Sequence, residues 1–223
     1  MSPTVRAQNP FRFHTRLHLS ELTGLRASTL AQLLEHLRSV PGSSIYHHTH
    51  RYLQQHQYLS PEPPNDFAHW VTNELGDEEL GERLASIDTV RFPTIRRLRN
   101  RIVGVIEEHI EKNPSAKRRF ADEGEEFHFI KSVSFVIPTK HLAWDLGEFA
   151  AVLEKITVDS IYYHMFEARL RLERGQNDFS LWFETSLGET GIAEEISRLD
   201  PYTHTLENLR RTIIRIVEKR IGR

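Results

Sequence analysis

The chain contains two copies of one sequence pattern, and this duplication limits what it can fold into. SIYHH at residues 44–48 recurs as SIYYH at residues 160–164, which is 116 residues later. NDFAHW at residues 65–70 recurs as NDFSLW at residues 177–182, which is 112 residues later. A residue that serves one local reaction has no reason to recur, whereas the skeleton of a folding unit must. The repeat therefore predicts a duplicated architecture.

The same duplication predicts where the chain divides. We expect a flexible tail at residues 1–10, a first helical repeat at residues 11–112, a linker at residues 113–126 and a second helical repeat at residues 127–223. The linker begins with Asn113 and the helix-ending Pro114, and it continues with mixed charge and Gly124.

The periodicity of apolar residues predicts mostly helices. Each copy opens with alternating apolar positions, clearest at Phe127 and Phe129, which is typical of a short strand. Beyond that point, leucines recur with helical spacing, as at residues 30, 33, 34 and 37. The predicted fold is mainly α, with two tandem, similar helical units about a pseudo-twofold axis and short strands at the start of each unit.

Composition excludes several classes of protein. The chain has no cysteine, so disulfides, cysteine-ligated metals and thiol nucleophiles are excluded. The formal net charge is −2, without the basic excess that nucleic-acid binding usually requires. No apolar run is long enough to span a membrane, and the first ten residues do not resemble a signal peptide. We therefore predict a cytoplasmic protein that binds neither nucleic acid nor a membrane.

The densest histidine cluster, HHTHRYLQQH at residues 47–56, is a candidate metal site. His47 and His50 share one side of a predicted helix, a spacing that zinc ligands often use. Asp66 and His69, with the same spacing on the next helix, would complete the set. The alternative is a histidine-rich, partly exposed helix face without a ligand.

His48 and His164 recur in both copies and have two interpretations. Each lies four residues after a serine (Ser44, Ser160) that is expected to cap the helix. The structural interpretation is a buried imidazole that forms hydrogen bonds with the other copy. The functional interpretation is a ligand pocket between the repeats, or a proton-transfer pair. Its lining residues would be Tyr46, His48, Tyr162 and His164.

Other repeated residues have structural interpretations. Asn65 and Asn177 stand directly before helical runs and are expected to be N-caps. Trp70 and Trp182 are expected in the core. We expect the recurring Arg99 and Arg210 to pair with repeated carboxylates, for which Asp66, Asp88, Asp178 and Asp200 are the candidates.

No standard catalytic motif is present: GxGxxG, the P-loop, GxSxG and HExxH are all missing.

The strings TGLRASTLAQLLEHL, SIYHHTHRYLQQH, PPNDFAHW and SIYYHMFEARLRLERGQNDFSLW resemble a bacterial protein family known only as a domain of unknown function. The resemblance covers residues 10–221. It implies a soluble protein with an unassigned role and supplies no catalytic residues.

Because the framework is duplicated and the reactive cluster is not, we predict a non-enzymatic regulatory or scaffolding protein. It would act through contact with another protein or through self-association. One alternative is a metal-dependent hydrolase that uses the first-repeat histidine cluster, with the metal as its cofactor. The other is a small-molecule sensor with a pocket between the repeats.

Overall fold

The fold is given by a computed structural model, which describes residues 5–50, 65–168, 176–199 and 205–222. Two long strands each precede a series of helices. The elements are β1 (Phe11–Ala27), α1 (Leu30–Ser39), α2 (Gly42–His50), α3 (Asp66–Asn73), α4 (Glu78–Ala85), α5 (Ile95–Lys112), β2 (Phe127–Ala143), α6 (Leu146–Leu153), α7 (Val158–Tyr162), α8 (Asp178–Leu187), α9 (Thr190–Ser197) and α10 (Leu206–Ile221). Short 3₁₀ turns lie at Thr89–Arg91 and Pro114–Arg118, and a π-helical turn at Tyr163–Glu167 extends α7.

The prediction of a mainly α fold is wrong, because β1 and β2 pair in an antiparallel sheet and the fold is α+β. Each strand is 17 residues long. Only their ends carry the buried alternation that the sequence pattern detects. In the middle of the strands, the Leu19 and Phe135 side chains are about half exposed. The length of the strands is therefore set by their pairing with each other and not by the burial of side chains. An exposed stretch of this kind has no clear period-two signal.

The prediction of tandem units about a pseudo-twofold axis is also wrong, because the compact units are not the two halves of the sequence. The terminal unit contains described residues 5–17 and those from 134 onward. The inner unit contains described residues 18–50 and 65–133. Each unit therefore combines the helices of one copy with the opening strand segment of the other. The proposed linker at residues 113–126 belongs to the inner unit.

The opening FxF pair of each copy is buried in the core that belongs to the other copy's helices. In the inner unit, Phe127 and Phe129 belong to one apolar cluster with the leucines of α1. In the terminal unit, the rings of Phe11 and Phe13 lie 5.8 Å and 5.5 Å from that of Phe149 on α6, measured between centroids. The Phe11–Phe149 pair is edge-to-face and the Phe13–Phe149 pair is tilted, and aromatic contacts of this kind add to the stabilisation from area burial alone.

Side-chain N-caps define where the helices begin. The Asn65 side chain accepts a hydrogen bond from the Ala68 backbone N–H, and Asn177 does the same for Ser180. The predicted N-caps are thus confirmed at both positions. Thr29, Thr94, Thr157 and Thr205 cap α1, α5, α7 and α10 in the same way. Capping by these residue types typically stabilises a helix by about 1 kcal/mol.

Within the described residues, no helix combines the length and apolar composition needed to cross a lipid bilayer.

The exchange of strand segments predicts which fragments fold. A fragment of residues 18–133 contains Phe127 and Phe129, and we expect cooperative thermal unfolding by circular dichroism. A fragment of residues 11–112 lacks these two core aromatics, so we expect no cooperative transition. Cooperative unfolding of fragment 11–112 at an equal or higher midpoint would contradict the assignment of the units.

Candidate functional site

In the inner unit, a serine and a histidine on one helix hold the backbone of a single strand residue, Ile130. The Ser44 hydroxyl donates a hydrogen bond to the Ile130 carbonyl at 2.9 Å. The Ile130 N–H donates to Nε2 of His48 at 3.0 Å. Nδ1 of His48 lies 2.8 Å from Oδ2 of Asp66. We call this arrangement the strand clamp.

The terminal unit contains a second strand clamp, built from the matching residues. Here Ser160 donates to the carbonyl of His14 at 2.5 Å, and the His14 N–H donates to Nε2 of His164 at 2.9 Å. Nδ1 of His164 lies 2.8 Å from Oδ2 of Asp178. Neither serine is the N-cap that the sequence predicts. Each instead mimics, together with its histidine, the edge of a neighbouring strand.

The strand clamp assigns the protonation of its histidines. A backbone N–H can only donate, so Nε2 of His48 and of His164 must be the acceptor and carries no proton. The proton is therefore on Nδ1, where it is donated to the aspartate. The same Asp–His geometry orients a general base in hydrolases. In this protein, however, the backbone of Ile130 or His14 occupies the nitrogen that would act on a substrate.

These contacts confirm the structural interpretation of His48 and His164 as buried imidazoles that bond to the other copy. Both are at most 3% exposed, and Tyr46 and Tyr162 beside them are also buried. A ligand pocket between the repeats stays a prediction. It has no support from these contacts, because both nitrogens of each imidazole already bind groups of the protein.

The four predicted metal ligands have separate partners. His47 lies 3.1 Å from the Ser132 hydroxyl, and Asp66 belongs to the strand clamp. His50 contacts Thr49, and His69 contacts Asn73. In the part of the chain that the structure describes, no group of three or more His, Asp or Glu side chains is placed to hold a metal ion. The metal site stays a prediction without a supporting contact.

The two copies differ beside the strand clamps. In the terminal unit, buried Arg16 pairs with Glu167 at 2.5 Å, and its guanidinium lies 4.3 Å from the ring centroid of Tyr162. The residue that matches Arg16 in the second copy is Ser132. Its hydroxyl lies between Nδ1 of His47 and Nε2 of His18, at 3.1 Å and 3.3 Å. A hydroxyl can donate to one imidazole and accept from the other.

One contact between a basic and an acidic side chain recurs with both residue types changed, and sequence comparison missed it. In the inner unit, Nε2 of buried His109 lies 2.9 Å from Oδ2 of Asp77. In the terminal unit, Arg220 at the matching place on α10 pairs with Glu189, also at 2.9 Å. Only compensating changes at both positions could have revealed this pair, because neither residue type recurs.

The repeated arginines contact backbone carbonyls, and neither pairs with the described candidates Asp66, Asp88 and Asp178. The fourth candidate, Asp200, lies outside the described residues. Arg99 donates to the carbonyl of Val40, just after α1. Arg210 donates to the carbonyls of Leu153 and Ile156, at the end of α6. The C-terminal end of a helix has free carbonyls and a partial negative charge, and both favour a guanidinium there. Burial lowers the pKa of Arg99 from its ordinary value.

The fold and these contacts define a class of α+β protein in which an internally duplicated chain clamps a two-stranded sheet with Ser and His side chains. The chain belongs to the family of unknown function DUF5752, which it matches over residues 8–218. It is also similar to the solved structure of OrfY from Thermoproteus tenax. That match has 31% sequence identity and a TM-score of 0.83, and it covers 98% of each chain. A comparison with curated proteins gives no match.

The strand clamp predicts a large stability cost for His48→Leu. The substitution leaves the part-buried Ile130 N–H without its acceptor, and an unsatisfied donor that is shielded from water costs about 1–3 kcal/mol. We expect the free energy of unfolding in urea to fall by about that amount. The matched control is His69→Leu on the exposed side of α3, with an expected change of less than about 0.5 kcal/mol. Equal effects of the two substitutions would contradict the strand clamp.

The burial of His50 predicts that the free energy of unfolding depends on pH. Its ring stacks on Tyr46 with centroids 5.2 Å apart, and burial lowers its pKa from 6.5 to about 4. As the pH falls, His50 binds a proton in the unfolded chain before it does so in the folded protein. The contribution of neutral, buried His50 to the free energy of unfolding is therefore complete above pH 6.5 and is lost as the pH falls towards 4.

The variant His50→Phe removes this titration. The second copy already has Phe166 at the matching position, so the ring is expected to fit. Between pH 7 and pH 4, we expect the variant to lose less unfolding free energy than the native protein, by about 3 kcal/mol. His69→Phe serves as the control and should keep the native pH profile. An unchanged profile in His50→Phe would show that His50 is not the titrating group.

Proposed function

We propose that this protein is a non-enzymatic scaffolding or regulatory protein that acts through protein–protein contact, with a second copy of the chain as its partner. The hydrogen bonds formed by the recurring polar residues support this. Ser44, His48 and Asp66, like their counterparts in the second copy, bind the backbone or one another. An enzyme needs such groups directed at a substrate.

The observation that carries the proposal is an exposed apolar ridge on the sheet of the terminal unit, formed by Leu17, Phe135 and Ile137. These side chains are 50%, 52% and 44% exposed, respectively. Leu17 is on β1, and Phe135 and Ile137 are on its partner strand β2.

Exposed apolar side chains that are grouped on one surface often mark an interaction site. The stretch Val133–Pro138 contains no charged residue, so charge cannot select a partner of a different kind. A second copy presents an identical uncharged ridge. Two identical surfaces pack face to face about a twofold axis, which is the commonest geometry of protein dimers. This supports self-association over capture of a charged partner.

The proposal includes the finer predictions about location and partners. A cysteine-free chain with net charge −2 suits the cytoplasm and is a poor match to nucleic acid. The metal-dependent and ligand-sensing alternatives have no comparable support among the described contacts.

The test is the concentration dependence of mass by analytical ultracentrifugation. We expect the native protein to dimerise and Phe135→Ser to raise the dissociation constant at least tenfold, because it removes an aromatic side chain from the centre of the contact. Phe120→Ser is the matched control, since Phe120 is 69% exposed and lies outside the ridge. A native protein that stays monomeric, or equal weakening by both substitutions, would overturn the proposal.

A further inference from the structure

A small cavity in the terminal unit combines cationic and hydroxyl groups in a way that the proposed function does not use. It encloses about 150 Å³ between β1, β2 and the start of α7. The polar side chains that line it include those of Thr15, Thr139, Lys140, His141, Lys155 and Thr157. None of the described residues around the cavity carries a carboxylate.

The two lysines have no structural role in the part of the chain that is described. Both are exposed, and neither forms an ion pair there. Two ammonium groups at one cavity repel each other, and the cost is offset when an anion lies between them. Lys131, by contrast, pairs with Glu21 at 2.9 Å, whereas exposed Lys112 and Lys117 form no ion pair among the described residues and do not line this cavity.

The hydroxyl groups supply donors beside these charges. Oγ1 of Thr15 and Oγ1 of Thr157 are 3.3 Å apart, so only one of the two protons is needed for their mutual hydrogen bond. The other hydroxyl can donate to a bound group. Thr139 is already engaged, since it donates to the Phe13 carbonyl and accepts from the His141 N–H.

Comparison of the two copies separates this cavity from the duplicated framework. Thr139 recurs as Thr23 and forms the same contact, a hydrogen bond to a strand carbonyl in the opposite copy. The lysines do not recur: the residues that match Lys140 and Lys155 are Gly24 and Ser39. The cationic groups were therefore acquired or retained in one copy only, where folding does not require them.

We infer that this cavity binds a phosphate group, either as inorganic phosphate or as the head of a phosphorylated small molecule. A tetrahedral dianion has enough oxygens to accept from both ammonium groups and a threonine hydroxyl at once. The volume is several times the roughly 30 Å³ of a water molecule, and it is below the roughly 300 Å³ at which pockets for drug-sized ligands begin. It suits a phosphate group and leaves the rest of a larger ligand outside.

The experiment is a calorimetric titration of the intact protein with sodium phosphate, with sodium chloride of equal ionic strength as the blank. We expect saturable binding of phosphate, and at least a tenfold weaker affinity in the double variant Lys140→Gln/Lys155→Gln. The control Lys112→Gln/Lys117→Gln removes the same charge from exposed positions in the inner unit and should bind like the native protein.

Two further arms identify the source of the phosphate group. Tighter binding of glycerol phosphate than of inorganic phosphate indicates a phosphorylated small molecule, and the reverse indicates free phosphate. Circular dichroism confirms that each variant is folded. No saturable heat with either compound in the native protein, or equal weakening in the control variant, would overturn the inference.

Discussion

In each unit, the structure depends on hydrogen bonds between the side chains of one helix and the backbone groups at the outer edge of a strand. A two-stranded sheet has a free edge on each strand, and unpaired N–H and C=O groups there are costly when buried and prone to aggregation when exposed. Ser44 and His48 lie four residues apart, so they project from the same side of α2 and reach both backbone groups of Ile130. Ser160 and His164 do the same for His14. Two side chains thus replace a third strand.

The strand clamp also explains why the recurring residues recur together. The aspartate fixes the proton on Nδ1 of the histidine, which leaves Nε2 as the acceptor that the strand requires. The aromatic pair before each clamped residue then enters the core, where Phe127 lies 4.7 Å from the ring centroid of His48. Loss of one member leaves a neighbouring group without its donor or acceptor. Residues that are coupled in this way support the fold, and the positions that differ between the copies, such as Lys140 and Lys155, are where separate functions can arise.

Some features were predictable because their causes are local. N-capping by Asn65 and Asn177 follows from residue type and position alone, as does the helical face of α1. The strand clamp was only half predictable. Recurrence singled out His48 and His164, but the spacing of Ser44 and His48 is equally compatible with a capped helix. The choice depends on Ile130, which lies 82 residues away along the chain. Likewise, Arg99 was expected to find a carboxylate and instead binds the carbonyl of Val40.

The amino-acid sequence by itself determined that the framework is duplicated, which residues recur, and which of them begin helices. These properties depend on residue type and short spacing. Only the tertiary structure decided that the fold is α+β and that each copy's opening strand segment lies in the unit formed by the other copy's helices. The reason is that strand pairing and strand exchange are contacts between residues far apart in the chain. The middle of β1 and β2 is held by hydrogen bonds to the partner strand, and its exposed leucine and phenylalanine side chains leave no buried pattern to detect.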